Sequence, residues 1–157
     1  MLACLTCAPQ VFAVQLEDLD SAREWRLGAV EIAGNVKLSR GDIDNVLLTQ
    51  PRPWYRFWSA LPIFDPVTFR EDLERVRRLY ESRGFYRTLV NYDLALDQED
   101  GSVTASIAIN EGPPVVVADV DVSVAGAAAF PERLPIATGD IFSEETYQRG
   151  EIVLKQF

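Results

Sequence analysis

The stretch from Asp65 to Gly84 constrains this chain most, because it spells out one helix with both ends marked. Asp65 offers a side-chain oxygen as N-cap, and Pro66 suits the first helical position, where a missing N–H costs nothing. Phe69, Leu73, Val76 and Tyr80 follow at spacings of 4, 3 and 4. Glu71 and Asp72 stand early, Arg75, Arg77, Arg78 and Arg83 stand late, and Gly84 ends the run, as the helix dipole and the C-terminal turn both favour. A helix with one apolar stripe must lie on something apolar.

The residues that follow supply a partner. In Tyr86 to Leu96 the even positions Tyr86, Thr88, Val90, Tyr92, Leu94 and Leu96 make one face, with Arg87, Asn91, Asp93 and Asp97 dominating the other. After the turn DQEDG, Val103, Ala105, Ile107 and Ile109 alternate with Ser102, Thr104, Ser106 and Asn110, so Asp100-Gly101 closes a hairpin with one buried and one wet face. Asp97, Glu99 and Asp100 read as its solvated tip. Their spacing lacks the ligand pattern and pivot glycine of an EF-hand loop.

Upstream, Arg26 to Ala33 alternates Leu27, Ala29 and Glu31 with Gly28, Val30 and Ile32 and ends at Gly34-Asn35, a short strand running into a turn. Ser39 then caps a short helix carrying Ile43, Val46 and Leu47, with Asp42 in its first turn. Between the two helices, QPRPWYRFWSALP holds three prolines and four aromatics, a density that blocks helix and central strand alike. Two readings of Trp54, Tyr55, Phe57 and Trp58 stay open: a lid folded onto the helices, or an exposed patch for apolar clients or a partner. The order β-α-α-β-β over residues 25–112 predicts an α+β module, a three-stranded sheet covered by two helices.

The remainder begins to repeat this order. Val122-Ser123-Val124-Ala125-Gly126 lies 92 residues after Val30-Glu31-Ile32-Ala33-Gly34, and Phe142-Ser143 and Tyr147 lie 78 residues after Phe64-Asp65 and Phe69. Residues 113–157 are therefore expected to form the first part of a second, truncated module, in tandem with the first.

Charge and composition narrow the function classes. Fifteen basic against 24 acidic residues give a net charge of −9, which opposes nucleic acid. The chain has no histidine, the commonest general base and metal ligand, and no cysteine beyond Cys7. No catalytic, cofactor-binding or metal-ligating residue is therefore assigned, and no cofactor is expected. The apolar run ending at Val11-Phe12-Ala13 is too short to span a bilayer and reads as a secretory signal remnant, 1–13, followed by an acidic leader, 14–24.

Taken together, Val30-x-Ile32-x-Gly34-Asn35, the Phe64-to-Tyr86 pattern with Asp72, Leu73, Val76, Leu79, Tyr80, Gly84 and Phe85 in place, and Ile109-x-Glu111-Gly112-Pro113-Pro114-Val115 resemble the polypeptide-transport-associated (POTRA) domain. Tandem copies resemble the periplasmic arm of BamA/TamA-family outer-membrane assembly proteins. Leu134-Pro135, Thr138-Gly139, Phe142 and Tyr147 make the second half the more TamA-like part.

The resemblance implies a non-enzymatic arm in the periplasm, part of an outer-membrane protein. Its implied partners are unfolded outer-membrane proteins or an accessory envelope protein, and its link to the membrane is a barrel missing from this chain. Clients would add as a strand along the Tyr86 to Leu96 segment, at Thr88, Val90, Tyr92 and Leu94, with Trp54, Tyr55, Phe57 and Trp58 as the competing site. A cell-division or cell-envelope scaffold using one such module is the alternative, and an exported enzyme a remote one.

Overall fold

The helix marked out by its caps is present, and the sheet is built against it. In the computed structural model, which describes residues 14–19, 23–122 and 134–156, helix α2 runs Pro66–Ser82. The Asp65 carboxylate accepts the Val67 N–H at its start. Gly84, at φ +91°, turns the chain away at its end, and the Phe85 N–H reaches back to the Tyr80 carbonyl at 2.9 Å. The signal remnant expected over residues 1–13, with Cys4 and Cys7, lies outside the described residues.

Strands β1 (Arg26–Ala33), β2 (Leu89–Asp97) and β3 (Ser102–Asn110) form one sheet in the order β1-β3-β2. β3 pairs antiparallel with β2 through the hairpin and parallel with β1, from which the chain reaches β2 through the two helices. The short α1 (Arg40–Asp44) starts in a capping box, with Ser39 and Asp42 each bonding the other's backbone N–H. The architecture is α+β, with Leu27, Ile43, Phe69, Val76, Tyr80 and Leu94 among the residues sealed between sheet and helices.

Three features depart from the sequence expectations. First, β1 does not alternate simply: its register with β3 shifts between Leu27 and Ala29, at Gly28. This bulge turns Leu27 and Val30, which strict alternation puts on opposite faces, both into the core. Second, β2 begins at Leu89 and not at Tyr86, because Phe85 to Thr88 close a turn held by the Thr88 hydroxyl on the Phe85 and Glu111 carbonyls at 2.8 and 3.1 Å. Third, the acidic leader, for which the sequence offered no contact, is packed against the module. Leu16, in a 3-10 turn at Leu16–Asp18, is buried in the same core, and Glu17 pairs with Arg70 of α2.

Two buried carboxylates tie the layers together. Asp72, fully buried on α2, accepts the N–H groups of Leu48 and Thr49 at 2.9 and 2.7 Å and the Arg75 guanidinium at 2.6 Å. Glu111 accepts the N–H groups of Val36 and Lys37 and the Tyr80 hydroxyl, joining the turn after β1 to the end of β3 and to α2. Burial, with the hydrogen bond to Glu111 and its negative charge, raises the Tyr80 phenol above its ordinary pKa.

Beyond β3 the chain repeats a piece of this geometry. In the first unit Arg26 bridges Ile63 antiparallel, with Leu27 N–H on the Pro62 carbonyl and Phe64 N–H on the Trp25 carbonyl. In the second, Val116 bridges Ile141, with Val117 N–H on the Asp140 carbonyl and Phe142 N–H on the Val115 carbonyl. Ile141 stands 78 residues after Ile63, as the sequence match has it, but Val116 stands 90 after Arg26, two fewer than the strand motifs suggest. Helix α3 (Glu144–Gln156) follows from Ser143, whose hydroxyl accepts the Thr146 N–H. Gly150 takes the place of Asp72 there, and a Cβ at that position would meet Pro135 at 3.8 Å, an ordinary contact. The strand match expected at Val122 to Gly126 lies, beyond Val122 itself, outside the described residues; among the described residues 117–122 the Val117 backbone pairs with Gly139 and Asp140 beside the Val116–Ile141 bridge.

Candidate functional site

A three-stranded sheet has two edges, and this fold treats them differently. Along the outer side of β1 the Leu27 N–H is bonded to the Pro62 carbonyl at 2.7 Å and the Trp25 carbonyl holds the Phe64 N–H at 2.8 Å. Farther along, the Arg40 guanidinium covers the Val30 carbonyl at 3.0 Å. That edge is guarded. Across the sheet β2 pairs with β3 alone, and among the described residues one backbone bond reaches its outer side, from the Val14 N–H to the Leu94 carbonyl at 3.4 Å.

That bond also sets the phase of the strand. The Leu94 carbonyl faces away from β3, and in an antiparallel ladder alternate residues share this direction. Val90, Tyr92 and Leu96 therefore present their N–H and carbonyl groups outward, while Leu89, Asn91, Asp93, Ala95 and Asp97 bond to β3. Of the candidate residues, Leu94 is buried in the core and Val90 and Tyr92 are half-buried against it. Their backbone, and not their side chains, is what the edge offers. Tyr92 packs edge-on against Phe69 at 5.8 Å, and its hydroxyl bonds to the Gln15 side chain at 3.2 Å.

Thr88 is the correction. The alternation of the sequence puts it on the exposed edge, yet it lies in the turn before β2 with its side chain buried, so that side chain offers no surface to a partner. The residues that sequence reasoning missed are Val14 to Leu16, which lie along the outer side of β2. Their surroundings read as an acidic leader, and the one signal was the pair of leucines, Leu16 and Leu19.

The aromatic loop is no lid. A 3-10 turn at Trp54–Arg56 follows Pro53, and Trp54, Tyr55, Phe57 and Trp58 are 88%, 54%, 73% and 72% exposed. The rings pair with one another: Trp54 with Tyr55 at 6.0 Å and Phe57 with Trp58 at 5.1 Å, both edge-on. The loop is closed on itself. The Arg52 guanidinium bonds the Ser59 carbonyl, and the Arg56 and Ser59 N–H groups reach the Pro53 and Arg56 carbonyls, each at 2.9 Å. Because Pro62 and Phe64 pair with β1, the loop springs from the β1 side of the sheet, across from β2. The structure thus keeps the two candidate sites apart.

The comparisons with known proteins bear on the same residues. The family model POTRA, described as surface antigen variable number repeat, matches residues 26–112. The crystal structure of Haemophilus influenzae BamA POTRA3-5 superposes with a TM-score of 0.50 at 14% identity, over 84% of this chain and 50% of that one. The crystal structure of Haemophilus influenzae BamA POTRA4 gives 0.47 at 14%, over 59% and 97%, and CdiB from Escherichia coli 0.36 at 14%, over 60% and 17%. The chain spans half the length of the three-domain BamA structure, and at 14% identity that match shows a shared fold. No curated protein matches the sequence.

Proposed function

The chain belongs to the POTRA family, and on that premise we propose that it is part of the periplasmic arm of an outer-membrane protein assembly or secretion factor. In this reading the arm holds an extended segment of an unfolded outer-membrane protein, or of an accessory envelope subunit, as a fourth strand beside β2. No catalysis is required of it. The observation that supports the reading best is the asymmetry of the edges among the described residues: β1 is guarded by Pro62, Phe64 and Arg40, while the outer side of β2 carries the one Val14 backbone bond.

Strand addition suits a receiver of many clients. Backbone groups at Val90, Tyr92, Leu94 and Leu96 recognise any extended chain, and side chains contribute only weak preferences. The Val14–Leu94 bond, at 3.4 Å, is long, so an incoming strand gives up little backbone hydrogen bonding when it takes that position from Val14.

The test uses the full chain and a synthetic strand segment of an outer-membrane protein with alternating apolar residues. Binding should slow amide hydrogen exchange at Val90, Tyr92, Leu94 and Leu96, and Val90→Pro, which deletes an outward N–H, should weaken it while circular dichroism stays native. Binding that leaves all four amides unprotected rules out the β2 edge as the receiving surface.

A further inference from the structure

We propose that the loop from Pro51 to Ser59 docks into the headgroup region of an anionic phospholipid bilayer, so that the β1 side of the module faces a membrane while β2 stays free.

The first observation is the side chains themselves. Two tryptophans, a tyrosine and a phenylalanine stand within five residues, all more than half exposed and paired ring to ring with their loop neighbours. Tryptophan and tyrosine gather at membrane–water interfaces because each has a broad apolar ring and a polar tip. An aromatic cluster kept in water by a fold that buries Phe64 and Phe69 nearby has an apolar destination elsewhere.

The second is shape. The loop protrudes, with Trp54, Phe57 and Trp58 88%, 73% and 72% exposed, and Trp54 borders a hollow that takes in Val30 and Leu47 as well as Arg40, Asp44 and Arg52. A protein partner would have to bring a matching hole, whereas a lipid interface deforms around a protruding tip.

The third is charge. In a chain of net charge −9, no acidic residue occurs between Pro51 and Phe64, and Arg52 and Arg56 are the charged groups there. Arg56 is exposed beside the rings, placed to meet a phosphate as the rings enter the interface. The fourth is the backbone. The N–H groups of Arg56 and Ser59 and the carbonyls of Pro53, Arg56 and Ser59 are satisfied within the loop, while the aromatic residues between them keep their backbone at the hydrated headgroup level, as a shallow insertion requires. No described helix is long and apolar enough to cross a membrane, and this contact needs none.

The experiment mixes the full chain with vesicles of phosphatidylethanolamine and phosphatidylglycerol, with brominated lipid as a fluorescence quencher. The chain should sediment with the vesicles, and bromine should quench Trp54 and Trp58 but spare Trp25, which is buried in the core. Trp54→Ala/Trp58→Ala should abolish sedimentation without changing the circular dichroism spectrum. Arg56→Gln should weaken it about fivefold, the effect of one arginine near an anionic surface.

Absence of sedimentation by the unaltered chain overturns the proposal, as does sedimentation that the double variant leaves unchanged. If vesicles are ignored and the double variant instead loses the outer-membrane-protein segment, the loop is a protein site. Exchange protection along β2 reads the receiving edge separately, so failure here leaves that reading standing.

Discussion

Asp72→Ala isolates the most consequential contact that the sequence hid. The carboxylate is fully buried and accepts two backbone N–H groups, from Leu48 and Thr49, just before the chain enters the proline-rich aromatic loop. Removing it leaves the Thr49 N–H in buried surroundings without a partner, and an orphaned buried donor costs about 1–3 kcal/mol. The part-buried Leu48 N–H adds a smaller amount. Arg75 keeps Glu71 and about a third of its side-chain exposure, so its loss is slight.

A total near 3 kcal/mol is expected, at the low end of the roughly 3–5 kcal/mol that breaking a buried charged pair costs. A unit the size of the family match carries about 4–13 kcal/mol in all, so the variant should sit near its threshold. Urea unfolding followed through Trp25 reads the effect as a midpoint lowered by roughly 1–3 M, given slopes of about 1–3 kcal/mol/M. Asp72→Asn should fall in between, because its amide keeps one acceptor and turns an N–H against the other donor. Arg75→Ala should cost well under half as much as Asp72→Ala. Equal losses for Arg75→Ala and Asp72→Ala would show that the ion pair, and not the two N–H groups, is the anchor, and the reasoning would fail.

Three further outcomes follow from the same contacts. Leu16→Ala should lower stability by about 2 kcal/mol, the low end for a buried leucine near a chain end, and a chain begun at residue 25 should melt earlier than one begun at 14; equal melting temperatures would mean that the leader does not dock. Gly84→Ala forces a side chain into φ +91° and places its Cβ 2.1 Å from the Phe142 carbonyl oxygen, so it should cost at least 1–2 kcal/mol, roughly the left-handed penalty alone, and should speed amide exchange at Phe142, whose N–H bonds Val115. Tyr80 is held protonated in the folded chain, so its contribution is intact below the unfolded phenol value of about 10 and is lost as pH rises beyond it. Tyr80→Phe should therefore flatten the alkaline fall in unfolding free energy, and an unchanged slope would place that fall elsewhere.

Much of this architecture could be read along the chain because it rests on local rules. Asp65, Pro66 and Gly84 bound their helix, Ser39 caps the next, Asp100-Gly101 closes the hairpin, and β3 buries Val103, Ala105, Ile107 and Ile109 in strict alternation. Each of these signals acts within a turn or across a pleat, where a residue's neighbours in sequence are its neighbours in space. The candidate site was half legible on the same ground. Periodicity located Val90, Tyr92 and Leu94, and composition located the four aromatics.

Contacts between elements were another matter. Asp72 has the sequence signature of a solvated helix carboxylate, and only the loop packed over α2 makes it a buried anchor. Thr88 continues the alternation of β2 but is taken by a turn because Glu111, far along the chain, offers its carbonyl. The bulge at Gly28, the docking of Leu16, the guarding of β1 by Pro62 and Arg40, and the outward face of Trp54 and Trp58 each depend on what a distant segment does. The sequence by itself determined which elements form and where they stop, since capping, alternation and glycine turns are settled by residues a few positions apart. The tertiary structure alone decided which edge is open, which carboxylate is buried and which aromatics face water, because those are properties of surfaces brought together from opposite ends of the chain.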